Sequence, residues 1–400
     1  MKIIKREKYL ERIRPFYKKN VVKIITGQRR VGKSYILKQV IEEIEQLHPD
    51  TSILYIDKEK HQFDEINNYR DLYQFIKSET EIGKPAAVFI DEIQEIENFE
   101  KCIRSLLSEG NYDIYCTGSN SSIFSSELAT LLSGRQIEIK IHSLSYSEFL
   151  TFHSLKNKKE SLTMYLTYGG LPYLMHLPKE DAILFDYLNN ILSTIIYRDI
   201  ITRNKIKDAA FFNTLISFLA DNTGSVFSAN SINKYLKSVK INKPVPTIIN
   251  YLKHMEDANI IVKVRRQDVV GKKIFESGEK YYFEDIGIRN AINGYKVQEI
   301  NKILENLVFN HLNYLGYQIH IGQQTKNEID FVAEKNNETS YFQVAYLLEN
   351  ERTISREFGN LDKIKDHYPK YVISMDEFPI SSSYKGIMHL ELIKFLTEFE

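Results

Sequence analysis

One segment near the N-terminus constrains this chain more than any other feature. Residues 27–34 read Gly-Gln-Arg-Arg-Val-Gly-Lys-Ser and fit the pattern G-x-x-x-x-G-K-S of a phosphate-binding loop. An apolar stretch, residues 21–25, precedes the loop, and apolar residues at helical spacing follow it from Tyr35 onward. In a strand–loop–helix unit of this kind, backbone N–H groups and a helix N-terminus converge on phosphate oxygens. The alternative, a chance glycine-rich turn, does not explain the apolar stretch before the loop and the helical spacing after it.

The loop therefore predicts a nucleotide site that uses Mg²⁺. Lys33 is expected to reach the β- and γ-phosphates, and the Ser34 hydroxyl is expected to ligate the metal. The residues that we expect to contact the nucleotide are Gly27, Gln28, Arg29, Arg30, Val31, Gly32, Lys33 and Ser34.

A second segment carries two acids at the end of an apolar run. Residues 86–91 are typical of a buried parallel strand, and Asp91 and Glu92 close it. Asp91 is placed to hold the Mg²⁺ coordination shell, and Glu92 to polarise the attacking water as a general base. Taken alone, two acids after a strand would more often be solvated loop charges. Their combination with the phosphate-binding loop favours the catalytic interpretation.

The loop, the Asp91–Glu92 pair and the segment 112–120 resemble the ATPase core of the AAA-type superfamily. More narrowly, the chain resembles a prokaryotic family of ATPases that joins an AAA-like core to a winged helix and a nuclease-like C-terminal domain. This resemblance implies ATP and Mg²⁺ as the ligands. The further segments that match the family are 132–135, 144–149, 169–172 and 197–199.

The resemblance also implies roles for three polar positions. Asn120 or Ser119 would be the sensor that orients water beside the γ-phosphate, although Gly, Ser and Asn also favour a simple strand-to-helix turn. Arg135 would be an arginine finger, acting within the chain or on a neighbouring copy; an ordinary arginine at a helix end is the alternative. Arg29 and Arg30 are expected to pair with local acids.

Length and alternation predict an α/β chain with several domains. At 400 residues the chain exceeds the ~100–200 residues of one domain. Residues 1–154 are expected to form the AAA-like core, a parallel sheet with helices on both faces. Its predicted strands are 21–26, 52–57, 86–91, 113–117 and 136–142. The resemblance places the loop-bearing strand next to the strand that ends in Asp91, and it makes residues 155–207 a helical lid.

Composition excludes several classes of protein. Lys plus Arg and Asp plus Glu both number 53, so the balance of charge gives no global attraction to nucleic acid. The two cysteines, Cys102 and Cys116, fall in predicted core elements, which argues against a disulfide framework and fits a cytoplasmic protein. The sequence shows no signal peptide and no apolar run of the ~20 residues that a membrane helix requires.

Residues 208–291 follow the order of a winged helix, with three predicted helices and then a hairpin. The helices include 210–222 and one that begins near Pro246, and the hairpin strands are 260–265 and 280–283. The third helix could enter a DNA major groove, but winged helices also bind proteins, and both partners stay open. The basic residues that could meet phosphates are Lys253, His254, Arg265, Arg266, Lys272 and Lys273.

Residues 292–400 resemble the core of PD-(D/E)XK nucleases. In this resemblance Asp330 and Gln343 take the metal-ligand positions, and Glu305 takes the position of the helical acid. Ala345 stands where the family carries its catalytic lysine, so we expect a nuclease-like domain without activity. Lys326 or Lys335 could substitute for that lysine from a neighbouring element.

Three functions follow from these motifs. The first is Mg²⁺-dependent ATP hydrolysis that drives a conformational change with DNA, a protein partner or further copies of the chain. The second is a nucleotide-gated DNA-binding or scaffolding switch with little turnover. The third is an ATP-regulated, metal-dependent nuclease.

Overall fold

The computed structural model describes residues 4–81, 83–120, 132, 134–325, 327–348, 351–376 and 383–399. By its internal contacts the chain divides into two units. The first contains residues 1–142 and 257–259, and the second contains residues 143–256 and 260–400. The four domains expected from the sequence, with boundaries near 154, 207 and 291, stay predictions.

A parallel five-stranded sheet forms the centre of the first unit. Its strands run in the spatial order β2-β3-β4-β1-β5, and every neighbouring pair is parallel. All five predicted strands are confirmed, with ends that shift by at most two residues. They are β1 Val22–Thr26, β2 Ser52–Asp57, β3 Ala86–Asp91, β4 Tyr112–Gly118 and β5 Gln136–Lys140.

The order of these strands corrects one expectation. We expected the loop-bearing strand, β1, to lie next to β3, but β1 pairs with β4 and β5, and β4 separates it from β3. Strand order depends on how the crossover helices carry the chain across the sheet, which local hydrophobic patterns do not encode. Because of this order, the carboxyl end of β4 lies between the phosphate-binding loop and Asp91.

Capping residues mark the start of one helix of the first unit and the end of another. The third helix starts at a capping box in which Asn68 and Asp71 satisfy each other's backbone N–H groups. The fourth ends at Gly110 in the left-handed conformation. Cys102 on the fourth helix and Cys116 on β4 are buried in the core, as expected. The helices are α1 Glu7–Ile13, α2 Lys33–Leu47, α3 Tyr69–Glu79 and α4 Phe99–Glu109.

The second unit combines helices with a mixed sheet. A π-helical segment, Ile195–Thr202, directly follows the helix Asp181–Thr194. Within the described part of the chain, no helix is long and apolar enough to cross a membrane. The helices are α5 Tyr146–Phe152, α6 Lys159–Tyr168, α7 Asp181–Thr194, α8 Ala209–Asp221, α9 Ala229–Ser238, α10 Val245–Asp257, α11 Ile286–Asn293, α12 Ile300–Tyr314, α13 Glu351–Asp362 and α14 Leu392–Glu398.

Eight strands form the sheet of the second unit, in the order β12-β13-β11-β10-β9-β8-β6-β7. The antiparallel hairpin β6–β7 follows α8, α9 and α10, as predicted, and β6 also pairs in parallel with β8. The hairpin and the strands after residue 317 therefore belong to one sheet. The strands are β6 Ile261–Asp268, β7 Ile274–Phe283, β8 Gln318–Gln324, β9 Asn327–Lys335, β10 Glu338–Val344, β11 Lys370–Ser374, β12 Ser383–Tyr384 and β13 Ile387–Glu391.

The segment 169–172, one of those on which the family resemblance is based, lies at a tightly packed junction in this unit. The buried carboxylate of Asp285 accepts hydrogen bonds from the backbone N–H groups of Gly170 (2.9 Å) and Ile288 (3.0 Å). A Cβ atom on Gly169 would lie 2.3 Å from Asp285 Oδ1, and one on Gly170 would lie 2.5 Å from the carbonyl oxygen of Leu144. The two glycines are therefore required by close packing.

Candidate functional site

The phosphate-binding loop connects β1 to the N-terminus of α2 at the carboxyl edge of the parallel sheet. Gly27 and Gly32 have φ angles of +140° and +99°, which side-chain-bearing residues rarely adopt. A Cβ atom on Gly27 would lie 2.2 Å from the carbonyl oxygen of Ile141. Both glycines of the motif are thus needed for the path of the backbone, which leads into a helix whose dipole favours an anion.

Polar groups of the loop fit a phosphate ligand. The buried Lys33 ammonium donates to the carbonyl oxygens of Gly27 (3.0 Å) and Gln28 (3.1 Å), so it lies against the loop. The side-chain amide of Gln28 is fully buried, and neither its Oε1 nor its Nε2 has a hydrogen-bond partner among the described protein atoms. Buried polar groups are normally satisfied, so these atoms indicate a place for water or a polar ligand.

Asp91 receives hydrogen bonds from three hydroxyl groups. Tyr55 donates to its Oδ2 at 2.9 Å, Thr117 donates to its Oδ1, and Ser34 of the loop also bonds to the carboxylate. Burial raises the pKa of Asp91 above its ordinary value, although the three hydroxyl groups lower it. The structure therefore brings the Ser34 hydroxyl and the Asp91 carboxylate together, and oxygen ligands of this kind suit Mg²⁺.

Glu92 is held beside Asp91 in a strained backbone conformation. Its φ angle is +57°, and its backbone N–H donates to Thr117 Oγ1 at 2.9 Å. The side chain is buried, and Gln94 donates its amide to Oε2. Burial raises the pKa of Glu92, but Lys33 leads a set of groups that outweigh it, so the pKa is lowered and the carboxylate is ionised at neutral pH.

The remaining predicted residues occupy different places. Ser119 and Asn120 are buried just after β4, beside the end of β3. Arg29 pairs with Glu59, with 3.4 Å between Nη1 and Oε1, while Arg30 is exposed with a φ angle of +71°.

Arg135 lies at the opposite edge of the sheet from the loop. Its carbonyl oxygen accepts a hydrogen bond from Val22 at the amino end of β1, and the loop begins after the carboxyl end of that strand. At ~3.3 Å per residue, the five-residue strand β1 separates Arg135 from the phosphate-binding loop by more than the length of an arginine side chain. The structure therefore does not bring Arg135 to the loop of its own chain.

Sequence reasoning missed several groups that shape this site. Thr117 and Tyr55 hold Asp91, Gln94 holds Glu92, and Arg6 donates to the carbonyl oxygen of Val31 in the loop at 3.0 Å. Tyr55 and Arg6 carry no local signal, since each meets the site only through tertiary packing. Thr117 belongs to the segment on which the resemblance is based, and its position at the carboxyl end of an apolar strand could have indicated it.

The three acidic or amide residues predicted in the second unit also come together. Glu305 on α12, Asp330 on β9 and Gln343 on β10 line one cavity of about 710 Å³, together with Ala345. The backbone N–H of Val344 donates to Asp330 Oδ2 at 2.8 Å. Among the described residues, no group of three His, Cys, Asp or Glu side chains is arranged to hold a metal ion. Lys326 lies outside the described residues.

Two charged residues that the sequence did not indicate enter this cluster. Glu328 lines the same cavity, and Lys280 reaches the cluster from β7, with its side chain only 2% exposed. Burial lowers the pKa of Lys280, but the surrounding carboxylates outweigh it and raise the pKa above its ordinary value. Burial also raises the pKa of Asp330 well above its ordinary value.

Two uncharacterised proteins are similar to the chain along most of its length. One, from Haemophilus influenzae, is 34% identical over 380 residues, which cover 93% of each chain. The other, from Methanocaldococcus jannaschii, is 31% identical over 87% of this chain and 79% of its own length. The chain belongs to their family.

Two domain families match parts of this chain. Residues 19–150 match the AAA domain, and residues 159–299 match the domain of unknown function DUF8612. The AAA-domain match contains the phosphate-binding loop, Asp91 and Glu92. A solved structure of the replication initiator DnaA, bound to AMPPCP and single-stranded DNA, is 14% identical over 64% of this chain and 90% of its own, with a TM-score of 0.31.

Proposed function

We propose that this protein binds ATP with Mg²⁺ at residues 27–34 and hydrolyses it. The observation that carries the proposal is the meeting of Ser34, Asp91 and Glu92 at the end of the sheet where the loop presents Lys33. Ligands of α/β sheets bind at this carboxyl edge. The match of residues 19–150 to the AAA domain supports the same activity.

Each residue has a defined part in this proposal. Lys33 places positive charge at the β- and γ-phosphates, and Ser34 and Asp91 hold Mg²⁺, which would neutralise developing phosphate charge. Glu92, ionised at neutral pH, accepts a proton from the attacking water, and Ser119 or Asn120 orients that water. Arg135, which is far from the loop of its own chain, would act only on a neighbouring copy.

Replacement of Glu92 by glutamine tests the proposal. Glu92→Gln keeps the shape of the side chain and removes the base, so we expect ATP turnover to fall at least ~10²-fold while the nucleotide still binds. Turnover is measured as phosphate release, and binding by calorimetric titration with a non-hydrolysable analogue. Glu97→Gln, which changes an exposed carboxylate in the same loop, is the matched control. Wild-type turnover by Glu92→Gln would assign the base elsewhere.

A switch with little turnover is the second candidate function. The amide of Gln94 donates to Oε2 of Glu92, which restrains the base that hydrolysis requires. The same experiment separates the two candidates. A wild-type rate as slow as that of Glu92→Gln, with tight nucleotide binding in both, favours the switch.

We also infer that α8, α9, α10 and the β6–β7 hairpin form a winged helix that contacts DNA. The order of elements supports this, as do the exposed side chains of Lys253, Lys272 and Lys273. The pairing of β6 with β8 ties the hairpin to the C-terminal strands, which we interpret as a nuclease-like core. DNA affinity that falls with added salt tests the phosphate contacts. No affinity at low salt would instead favour a protein partner or contacts between copies.

A further inference from the structure

Lys280 stands inside the acidic cluster of the second unit and binds its carboxylates directly. The distances from Lys280 Nζ are 2.8 Å to Glu305 Oε1, 2.7 Å to Glu328 Oε1 and 3.9 Å to Asp330 Oδ1. The first two are ordinary charge-assisted hydrogen bonds. The three acids come from α12 and β9, whereas the lysine comes from the hairpin strand β7, so tertiary packing alone assembles the group.

Further hydrogen-bond acceptors surround the Lys280 ammonium. Tyr282 donates its hydroxyl to Glu305 Oε1 at 2.6 Å, so that oxygen already has two donors. Gln343 is 8% exposed and lines the same cavity, and its Oε1 has no hydrogen-bond partner among the described residues. A buried, unpartnered carbonyl oxygen beside three carboxylates and one ammonium indicates a place for a cation.

The residues do not fit the metal that a nuclease-like core implies. That metal would need Glu305, Asp330 and Gln343. Lys280 already donates to an oxygen of Glu305, and it neutralises charge on Glu328 and Asp330. An ammonium and a divalent ion compete for the same carboxylates, and they repel each other at such short range. Ala345 adds no second ammonium beside a substrate.

We propose that Lys280 is a tethered cation that takes the place of a divalent ion in this cavity. With Lys280 in place, no three acidic side chains among the described residues are arranged to hold a metal ion. When the ammonium is removed, the three acids and the Gln343 carbonyl become free to close on a divalent ion. The site has room for an ion, because its cavity of about 710 Å³ is larger than one hydrated ion requires. The lysine stabilises the fold where a metal would otherwise do so, and it leaves the nuclease-like core without its metal.

Titration with Mn²⁺ in the absence of nucleotide, followed by electron paramagnetic resonance, tests this inference on the full chain. We expect the wild type to bind no Mn²⁺ in the second unit. Lys280→Met should gain a Mn²⁺ site, and Lys280→Met/Asp330→Asn should lose it again. Lys263→Met is the matched control, because Lys263 lies on the facing strand of the same hairpin and pairs with Glu279, outside the cluster.

Folding of the variant supplies a second readout. Removal of a buried ammonium leaves its carboxylates uncompensated, so Lys280→Met should unfold at a lower temperature and recover when Mn²⁺ is added. Three outcomes would overturn the inference: a folded Lys280→Met that binds no Mn²⁺, a variant that stays unfolded with Mn²⁺ present, or a wild-type Mn²⁺ site that disappears in Asp330→Asn.

Discussion

The two units each place buried carboxylates close to a lysine, and they use that lysine in opposite ways. In the first unit, Lys33 donates to the carbonyl oxygens of its own loop, and the side-chain hydrogen bonds that Asp91 accepts from described residues come from neutral hydroxyl groups. In the second unit, Lys280 donates directly to the carboxylates. Neutral donors orient a carboxylate without cancelling its charge, whereas an ammonium cancels it. In our two proposals, the group to which the lysine donates, more than the acids themselves, therefore distinguishes an exchangeable cation site from a closed one.

The largest expected effect is the loss of nucleotide binding in Lys33→Ala. Charge-assisted hydrogen bonds contribute about 1.5–3 kcal/mol each, and this ammonium would meet two phosphates, so affinity should fall at least ~10²-fold. Calorimetric titration with a non-hydrolysable ATP analogue and Mg²⁺ measures it. Lys38→Ala, an exposed lysine on the same helix, should bind as the wild type does. Equal affinity in Lys33→Ala would remove the contrast between the two lysines.

A smaller effect concerns pH. The pKa of Glu92 is lowered below its ordinary value of 4.5, so its carboxylate is mostly ionised at pH 4.5 and loses its basic form only at lower pH. We therefore expect kcat to be flat between pH ~5.5 and ~8, which covers the ordinary range of histidine titration. The measurement is a pH–rate profile at saturating ATP. A rise in kcat with an apparent pKa near 6.5 would indicate that a histidine is the base.

The first unit was predictable because its signals are local. The loop residues 27–34 and the run 86–91 each show strand, turn or helix chemistry within a few neighbours, and their strands follow the prediction closely. The order of the strands was not predictable, since β4 enters between β1 and β3 through crossovers that no short pattern records. The contact of Tyr55 with Asp91 was not predictable either, since it depends on the pairing of β2 with β3.

The second unit shows the limit of motif reasoning more sharply. Asp330, Gln343 and Glu305 were predicted to meet, and the structure brings them to one cavity. Lys280 was assigned only to a hairpin strand. Its approach to Glu328 depends on one sheet that joins β7 and β6 to β8 and β9, and its approach to Glu305 depends on the packing of α12 against β7. A sequence shows which acids are available, but it does not show which cation folding places among them.

The number of Mn²⁺ ions bound by the wild-type chain, with and without a non-hydrolysable ATP analogue, tests the central contrast most directly. We expect one ion per chain with the analogue and none without it. Asp91→Asn should weaken this binding, because it removes charge from the exchangeable site, and Asp330→Asn should leave it unchanged. Binding that does not require the analogue, survives Asp91→Asn and is lost in Asp330→Asn would contradict the account.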